Sequence, residues 1–413
     1  MSGLLKVLIL GIVATLLAGC GGSSSGTPQG TVISVMFAGG TAPQAVATQT
    51  GGGAFTPAVL QAGNMLNFVL PTGTTKYAIA YVCPLFNDEF VFEATVQDGT
   101  VFTMSCPDFS TPILGAATGS VNASAIAGTT NVAIFGKAAG GSLSGVAGSF
   151  SVNLPVGTED VALVAFDKTG SAAGVKIAAS QTVPGAIGNV VFSPGDATAM
   201  QPATIRNVPA GFPSPGVFAK YHTANGSAFP LNTAISFNSP SPTYPAVPAA
   251  AVRNGDFYLY EATTLNISTL SELMGTTQTT TSGGGPVTMT LPAPWSYAGP
   301  AAAAFPTFTF NYSGFSGLPA VSQMATIAWP TGPRDRNLLT VTATANFQNG
   351  ANTITIPDLT SLSGFFAPAP SGTTISWNAD IFGGTEQDYI FSVNPPPNGS
   401  ISFVETLGSY IQP

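Results

Sequence analysis

A chain of 413 residues with only 10 lysines and arginines against 18 aspartates and glutamates has a charged fraction of 7 %, far below the roughly 25 % usual in soluble domains. Its net charge is −8, and its basic residues are scattered singly apart from Arg334 and Arg336. No surface can therefore neutralise a run of phosphates, which excludes nucleic acid as a partner. At roughly 100–200 residues per domain the length predicts two to four domains with ample core, under a surface built from Thr, Ser, Asn and Gly.

The first element in chain order is an address. Lys6 precedes an apolar run from Val7 to Leu17, which ends in Leu17-Ala18-Gly19-Cys20. A short basic region, an apolar stretch of about 7–15 residues and small residues before a cut are the marks of an export signal. The run is too short for the roughly 20 residues a spanning helix needs. The stretch resembles the lipobox of bacterial lipoproteins. That resemblance implies removal of residues 1–19, a lipid on Cys20 as the first mature residue, and a membrane as partner through the anchor. Gly21 is not Asp, so the same resemblance places the protein in the outer membrane or at the cell surface. Residues 20–30, rich in Gly and Ser, read as a flexible tether.

Beyond the tether, strand signals recur and helix signals are nearly absent. Runs such as Tyr77–Val82, Val161–Phe166, Leu338–Ala343 and Thr353–Ile356 are short, rich in β-branched or aromatic residues, and punctuated by Gly, Pro, Asn and Asp. The only stretch with helical character is Thr263–Met274. The expectation is an all-β fold of tandem β-sandwich modules, Ig-like or transthyretin-like.

Leu70-Pro71-Thr72-Gly73-Thr74-Thr75-Lys76-Tyr77 aligns without gaps with Leu154-Pro155-Val156-Gly157-Thr158-Glu159-Asp160-Val161, at an offset of 84 residues. Read as one hairpin in two successive modules, the repeat sets module 1 at 31–114 and module 2 at 115–198. Cys83 and Cys106 are the two cysteines left once Cys20 is given to lipid. In an exported chain an even remainder reads as one disulfide. In module 2, Gly119–Ser124, Val132–Gly136 and Gly148–Thr158 are similar to transthyretin-like, carboxypeptidase-regulatory-type domains, which implies a non-catalytic spacer or adhesive sandwich. From Gln201 onward no repeat is evident. Strand candidates there are Gly216–Thr223, Gly255–Ala262, Pro286–Leu291, Phe305–Tyr312, Met324–Trp329, Leu338–Phe347, Thr373–Asn378, Tyr389–Val393 and Ser400–Thr406. The Pro- and Ala-rich run Leu291–Pro306 reads as a linker or a long crossover that divides module 3 at 201–298 from module 4 at 299–413, with one domain over 201–413 as the alternative.

Groups that carry chemistry are sparse. His222 is the only histidine and lies on an expected strand. The one Gly-x-Ser-x-Gly match, Gly22–Gly26, sits in the tether, where no nucleophile elbow forms. No phosphate-cradling Gly-rich pattern occurs. The densest carboxylates are Asp88 with Glu89, Glu159 with Asp160, and Asp380, Glu386 and Asp388; all are read as residues of turns and strand ends. The last three would be the ligands for calcium, but no Asp-x-Asp-x-Asp loop is present, so no metal or cofactor is expected. Trp295 and Tyr297, flanked by Pro294 and Pro300, are the candidate ligand contacts, since extended backbone can present rings to a sugar face. Packing against the protein is the competing reading for both rings. An outer-membrane barrel is disfavoured by short, Pro-interrupted runs. The sequence thus points to a lipid-anchored envelope protein with a non-catalytic structural or adhesive role, or to a lipoprotein that binds an extracellular carbohydrate or protein.

Overall fold

The computed structural model describes residues 30–38, 41–84, 88–106, 113–137, 139–233, 238, 241–281, 284–315, 318–332, 335–384 and 398–413. Cys20, the tether, Glu386, Asp388 and the expected strand Tyr389–Val393 lie outside them. Among the described residues nearly all regular structure is β, as the all-β expectation required. Helix is confined to single turns at Pro194–Asp196, Ala249–Ala251 and Ala345–Gln348.

The first seven strands are β1 (Gly30–Ala38), β2 (Ala45–Thr50), β3 (Thr56–Pro57), β4 (Met65–Pro71), β5 (Lys76–Cys83), β6 (Asp88–Thr95) and β7 (Val101–Ser105). They lie in the orders β4-β1-β7 and β3-β2-β5-β6. Within the first sheet β1 is antiparallel to β4 and parallel to β7. The next seven are β8 (Leu114–Asn122), β9 (Thr129–Phe135), β10 (Gly140–Ser144), β11 (Ala147–Pro155), β12 (Gly157–Asp167), β13 (Ala172–Val183) and β14 (Gly185–Val191). Their orders are β11-β8-β14 and β10-β9-β12-β13, again with one parallel pair, β8 with β14.

A third unit follows with β15 (Ala199–Arg206), β16 (Phe218–His222), β17 (Ala228–Pro230), β18 (Thr243–Ala246), β19 (Phe257–Leu265), β20 (Glu272–Thr280) and β21 (Val287–Thr290), in the orders β18-β15-β21 and β17-β16-β19-β20. The fourth comprises β22 (Thr307–Thr309), β23 (Ala320–Pro330), β24 (Arg336–Thr344), β25 (Thr353–Thr355), β26 (Thr374–Gly384) and β27 (Ser400–Ile411), ordered β25-β22 and β24-β23-β26-β27. One seven-strand order is thus drawn three times, and six of its strands a fourth time.

These units are not strung out as separate beads. A single twelve-stranded sheet runs β17-β16-β19-β20-β27-β26-β23-β24-β6-β5-β2-β3. It joins strands of the third, fourth and first units, and so runs across the division expected near 298 and links the first unit to the fourth. At one seam β20 and β27 pair antiparallel, and at the other β24 and β6 pair parallel.

Double burial explains why some strands read as unbroken apolar runs. In β5, Tyr77, Ile79, Tyr81 and Cys83 point into the first unit's own core with Ile33, Val35, Phe37, Leu66 and Leu70. The alternate residues Ala78 and Ala80 face the other way, into a core shared with the fourth unit's Leu359, Ile354 and Val341. In β12 the division is the same. Val161, Leu163 and Ala165 serve the second unit, while Ala162, Val164 and Phe166 pack with Tyr221, Phe229 and Leu231 of the third. Small side chains at 78, 80 and 162 let the neighbouring unit approach.

Two expectations are corrected. The repeated Pro-x-Gly motif is not a hairpin, because β4 and β5 belong to different sheets, as do β11 and β12. It is a corner that carries the chain from one sheet to the other. Thr74 N donates to Pro71 O at 2.9 Å, with Gly73 at φ 84°. A third copy exists in Ala369-Pro370-Ser371-Gly372-Thr373-Thr374, where Thr373 N donates to Pro370 O at 3.1 Å and Gly372 has φ 83°. That left-handed conformation is cheap only for glycine. The stretch Thr263–Met274 is not helical; it ends β19, turns, and starts β20. Its β-branched residues suit a strand, and the Asn266 side chain accepts from Ser268 N at 3.1 Å to fix the turn.

Candidate functional site at the seams between units

The seam of the first and fourth units holds two acids of β6, Glu89 and Glu93, of which Glu89 meets the fourth unit's 357–372 segment. Glu89 is 1 % exposed and accepts from Phe366 N at 3.0 Å. Burial pushes its carboxyl up to about 7, against the opposing effect of that hydrogen bond. Glu93 is also pushed up to about 7 by burial, with Lys76 pulling the other way. Asp88, at the head of the strand, is raised by burial and partly restored by Arg336.

On the opposite face the same seam forms a cavity of about 250 Å³, lined by Tyr81, Phe90, Phe102, Met104, Met324 and Thr342 among others. The Tyr81 and Phe90 rings are stacked there, with centroids 5.2 Å apart. Cys83 and Cys106 form the expected disulfide, which ties the end of β5 to the chain just beyond β7.

The second and third units are locked by a charged cluster. The Asp160 side chain is fully buried and accepts from Arg253 Nη1 at 3.3 Å, from Arg253 Nη2 at 2.5 Å and from Ser180 N at 2.9 Å. Burial alone would raise the Asp160 carboxyl, but these bonds, with one from Asn225, outweigh it and hold the group below the usual carboxylate range. Asp256 completes the cluster by accepting from Tyr221 Oη at 2.8 Å, Ala224 N at 2.8 Å and Arg253 N at 3.0 Å. Glu159, next to Asp160, accepts from Lys137 N.

Across β26 and β27, Asp380 and Glu405 are direct cross-strand neighbours, and Asn378 donates to Asp380 at 2.9 Å. Burial and the Glu405 charge push Asp380 well above the normal carboxylate range. Two carboxyls so placed oppose each other's ionisation. Among the described residues no three His, Cys, Asp or Glu side chains are grouped as a metal site. Of the three residues considered for calcium, only Asp380 is described.

The carboxylates expected at solvated turns are therefore buried on strands. Asp88, Glu89, Glu159, Asp160 and Asp380 are each at most 9 % exposed. Polar partners from neighbouring strands or units accompany most of them, which a reading of local sequence does not reveal. The Asp160–Arg253 pair is separated by 93 residues and had no local signal.

Trp295 and Tyr297 are packed rather than presented. Trp295 is 5 % exposed and stacks on Tyr297 at 5.1 Å and on Phe310 at 5.7 Å. Thr309 N donates to Tyr297 Oη at 3.1 Å, and Ala293 N to Gly314 O at 3.1 Å. These rings thus cover the edge of β22, the side on which β7, β14 and β21 lie in the other units. The run expected to be a linker or a long crossover is part of the fourth unit's core, with the Trp295 ring buried in it. His222 stacks on Phe257 with centroids 4.6 Å apart. Burial and Lys220 lower it to about 4, so it is neutral at pH 7.

No family model matches the chain, and no curated protein matches it. Among the described residues no helix is long and apolar enough to cross a membrane.

Proposed function

We propose that the protein is a lipid-anchored, non-catalytic platform of the bacterial cell envelope, built from four transthyretin-like β-sandwich units and held to the outer membrane or cell surface through Cys20. The observation that carries this reading is the twelve-stranded sheet, in which the first unit pairs with the fourth and the fourth with the third. A flexible string of spacers needs no such seams, whereas a rigid body that presents a surface does. The recurring strand order supports descent of all four units from one sandwich, and the neutral Thr, Ser and Asn surface suits adhesion through hydrogen bonds. Mass spectrometry of the membrane fraction tests the anchor. The reading requires an acylated Cys20 as the mature N-terminus, and an unmodified Cys20 behind an intact Met1–Gly19 would refute it.

A second reading, capture of an extracellular carbohydrate or protein, is favoured by the aromatic cavity at the β6–β24 seam. It predicts a glycan-array or pull-down signal that falls in Met104→Ala while the unfolding transition is retained.

A further inference from the structure

In a sandwich the outer face of each sheet meets solvent, and alternation along the strands should make it polar. The second unit largely obeys this rule, with Leu114 and Val191, 42 % and 50 % exposed, as the large apolar exceptions on that face. The outer positions of β8 and β11 include Thr118, Ser120, Ser149, Ser151 and Asn153, paired as Ser149 with Ser120 and Ser151 with Thr118. The equivalent face of the first unit does not. Val32 and Val69 are cross-strand neighbours and are 46 % and 41 % exposed. Met36, 42 % exposed, is paired with Met65, and Val101, 76 % exposed, lies beside Ser34. The remaining outer positions are Gly30, Ala38, Asn67, Pro71, Thr103 and Ser105, so the face carries no charge at all.

This apolar face is built around β1, whose first residue, Gly30, follows Cys20 by ten positions. Ten residues span at most about 35 Å, so a lipid on Cys20 keeps this sheet, of all sheets in the molecule, close to the bilayer. We infer that the outer face of the β4-β1-β7 sheet rests on the lipid surface, with Val32, Met36, Val69 and Val101 in the interfacial layer. The inference rests on the anchor proposed above and adds the orientation of the platform. Exposed apolar patches of a few hundred Å² commonly mark interaction sites, and interfacial binding scales with the apolar area buried. A chain of net charge −8 would be repelled by anionic headgroups through most of its surface. A charge-free face is where close approach costs least.

The test uses the full chain in phosphatidylcholine vesicles that contain spin-labelled lipid, with an environment-sensitive dye on Met36→Cys and, as control, on Ser149→Cys. Quenching at 36 at least twofold above that at 149, little changed by salt, is the expected result. Equal quenching at the two positions would overturn the inference, as would cross-linking of position 36 between copies without quenching by lipid, which would make the face a self-association surface. The mass of the Cys20 peptide reads the anchor separately. Quenching at 36 without acylation would keep the face and discard the anchor. Acylation without quenching would do the reverse, and absence of both would discard both.

Discussion

Replacing Glu89 by Gln should make the protein more stable at pH 8 and leave it nearly unchanged at pH 5. The Glu89 carboxyl is 1 % exposed, and burial raises it from 4.5 to about 7. Because the folded-state value lies above the unfolded one, the folded chain binds the proton more tightly. The destabilisation is therefore absent well below pH 4.5, grows as pH rises between the two values, and is complete above 7. A shift of that size corresponds to about 3 kcal/mol at pH 8 and less than about 1 kcal/mol at pH 5. Gln at this position still accepts from Phe366 N but never ionises. Trp329 lies edge-on to Phe366, with centroids 6.2 Å apart, so its fluorescence reports on this seam during urea unfolding. Wild-type protein should gain about 2 kcal/mol between pH 8 and pH 5 from this group, and most of that gain should vanish in Glu89→Gln. A variant with the wild-type pH dependence, or one destabilised at pH 8, would refute the reasoning.

Other perturbations follow from the same contacts. Arg253→Met leaves Asp160 buried without its cation, which should cost about 3 kcal/mol at pH 7. Because the folded-state value of Asp160 lies below the unfolded one, this deficit should shrink as pH falls below about 4 in a urea titration. Changing Cys83 and Cys106 to Ala releases a loop of sequence separation 23. The loss should be about 3 kcal/mol, read as a lower urea midpoint under non-reducing conditions. Trp295→Ala empties the position that covers β22 and should cost about 3–5 kcal/mol, with faster amide exchange at Thr309, whereas a loss below about 1 kcal/mol would mean that the ring is not a core residue.

How much of this was legible in the sequence depends on the range of the interactions. Strands such as β5, β12, β24 and β26 announce themselves through β-branched and aromatic runs, because the signal is local. The Cys83–Cys106 pair follows from cysteine arithmetic alone. The pairing of β6 with β24 was invisible, since it joins residues some 250 positions apart and leaves only a trace in the small outward residues Ala78 and Ala80. The third copy of the corner, Pro370-Ser371-Gly372-Thr373, was present in the sequence, but the 18-residue connection between β25 and β26, against four residues between β4 and β5, hid its place in the repeat. Short strands with proline, such as β15 with Pro202 and β18 with Pro245, were missed because proline argues against a strand unless it occupies a position without a ladder bond. The acids were misassigned because what surrounds them is distant in sequence, as Phe366 is from Glu89 and Arg253 from Asp160, or lies on a neighbouring strand, as Glu405 does for Asp380.

Small-angle X-ray scattering of the purified protein tests the central claim, that the four units close into one body. A compact body of this length has a radius of gyration of about 22 Å, whereas four sandwiches of some 85 residues set end to end would give about 35 Å. The account predicts about 22–25 Å, unchanged by salt. A value near 35 Å, or one that varies with solution conditions, would show that the seams between units do not hold and would contradict it.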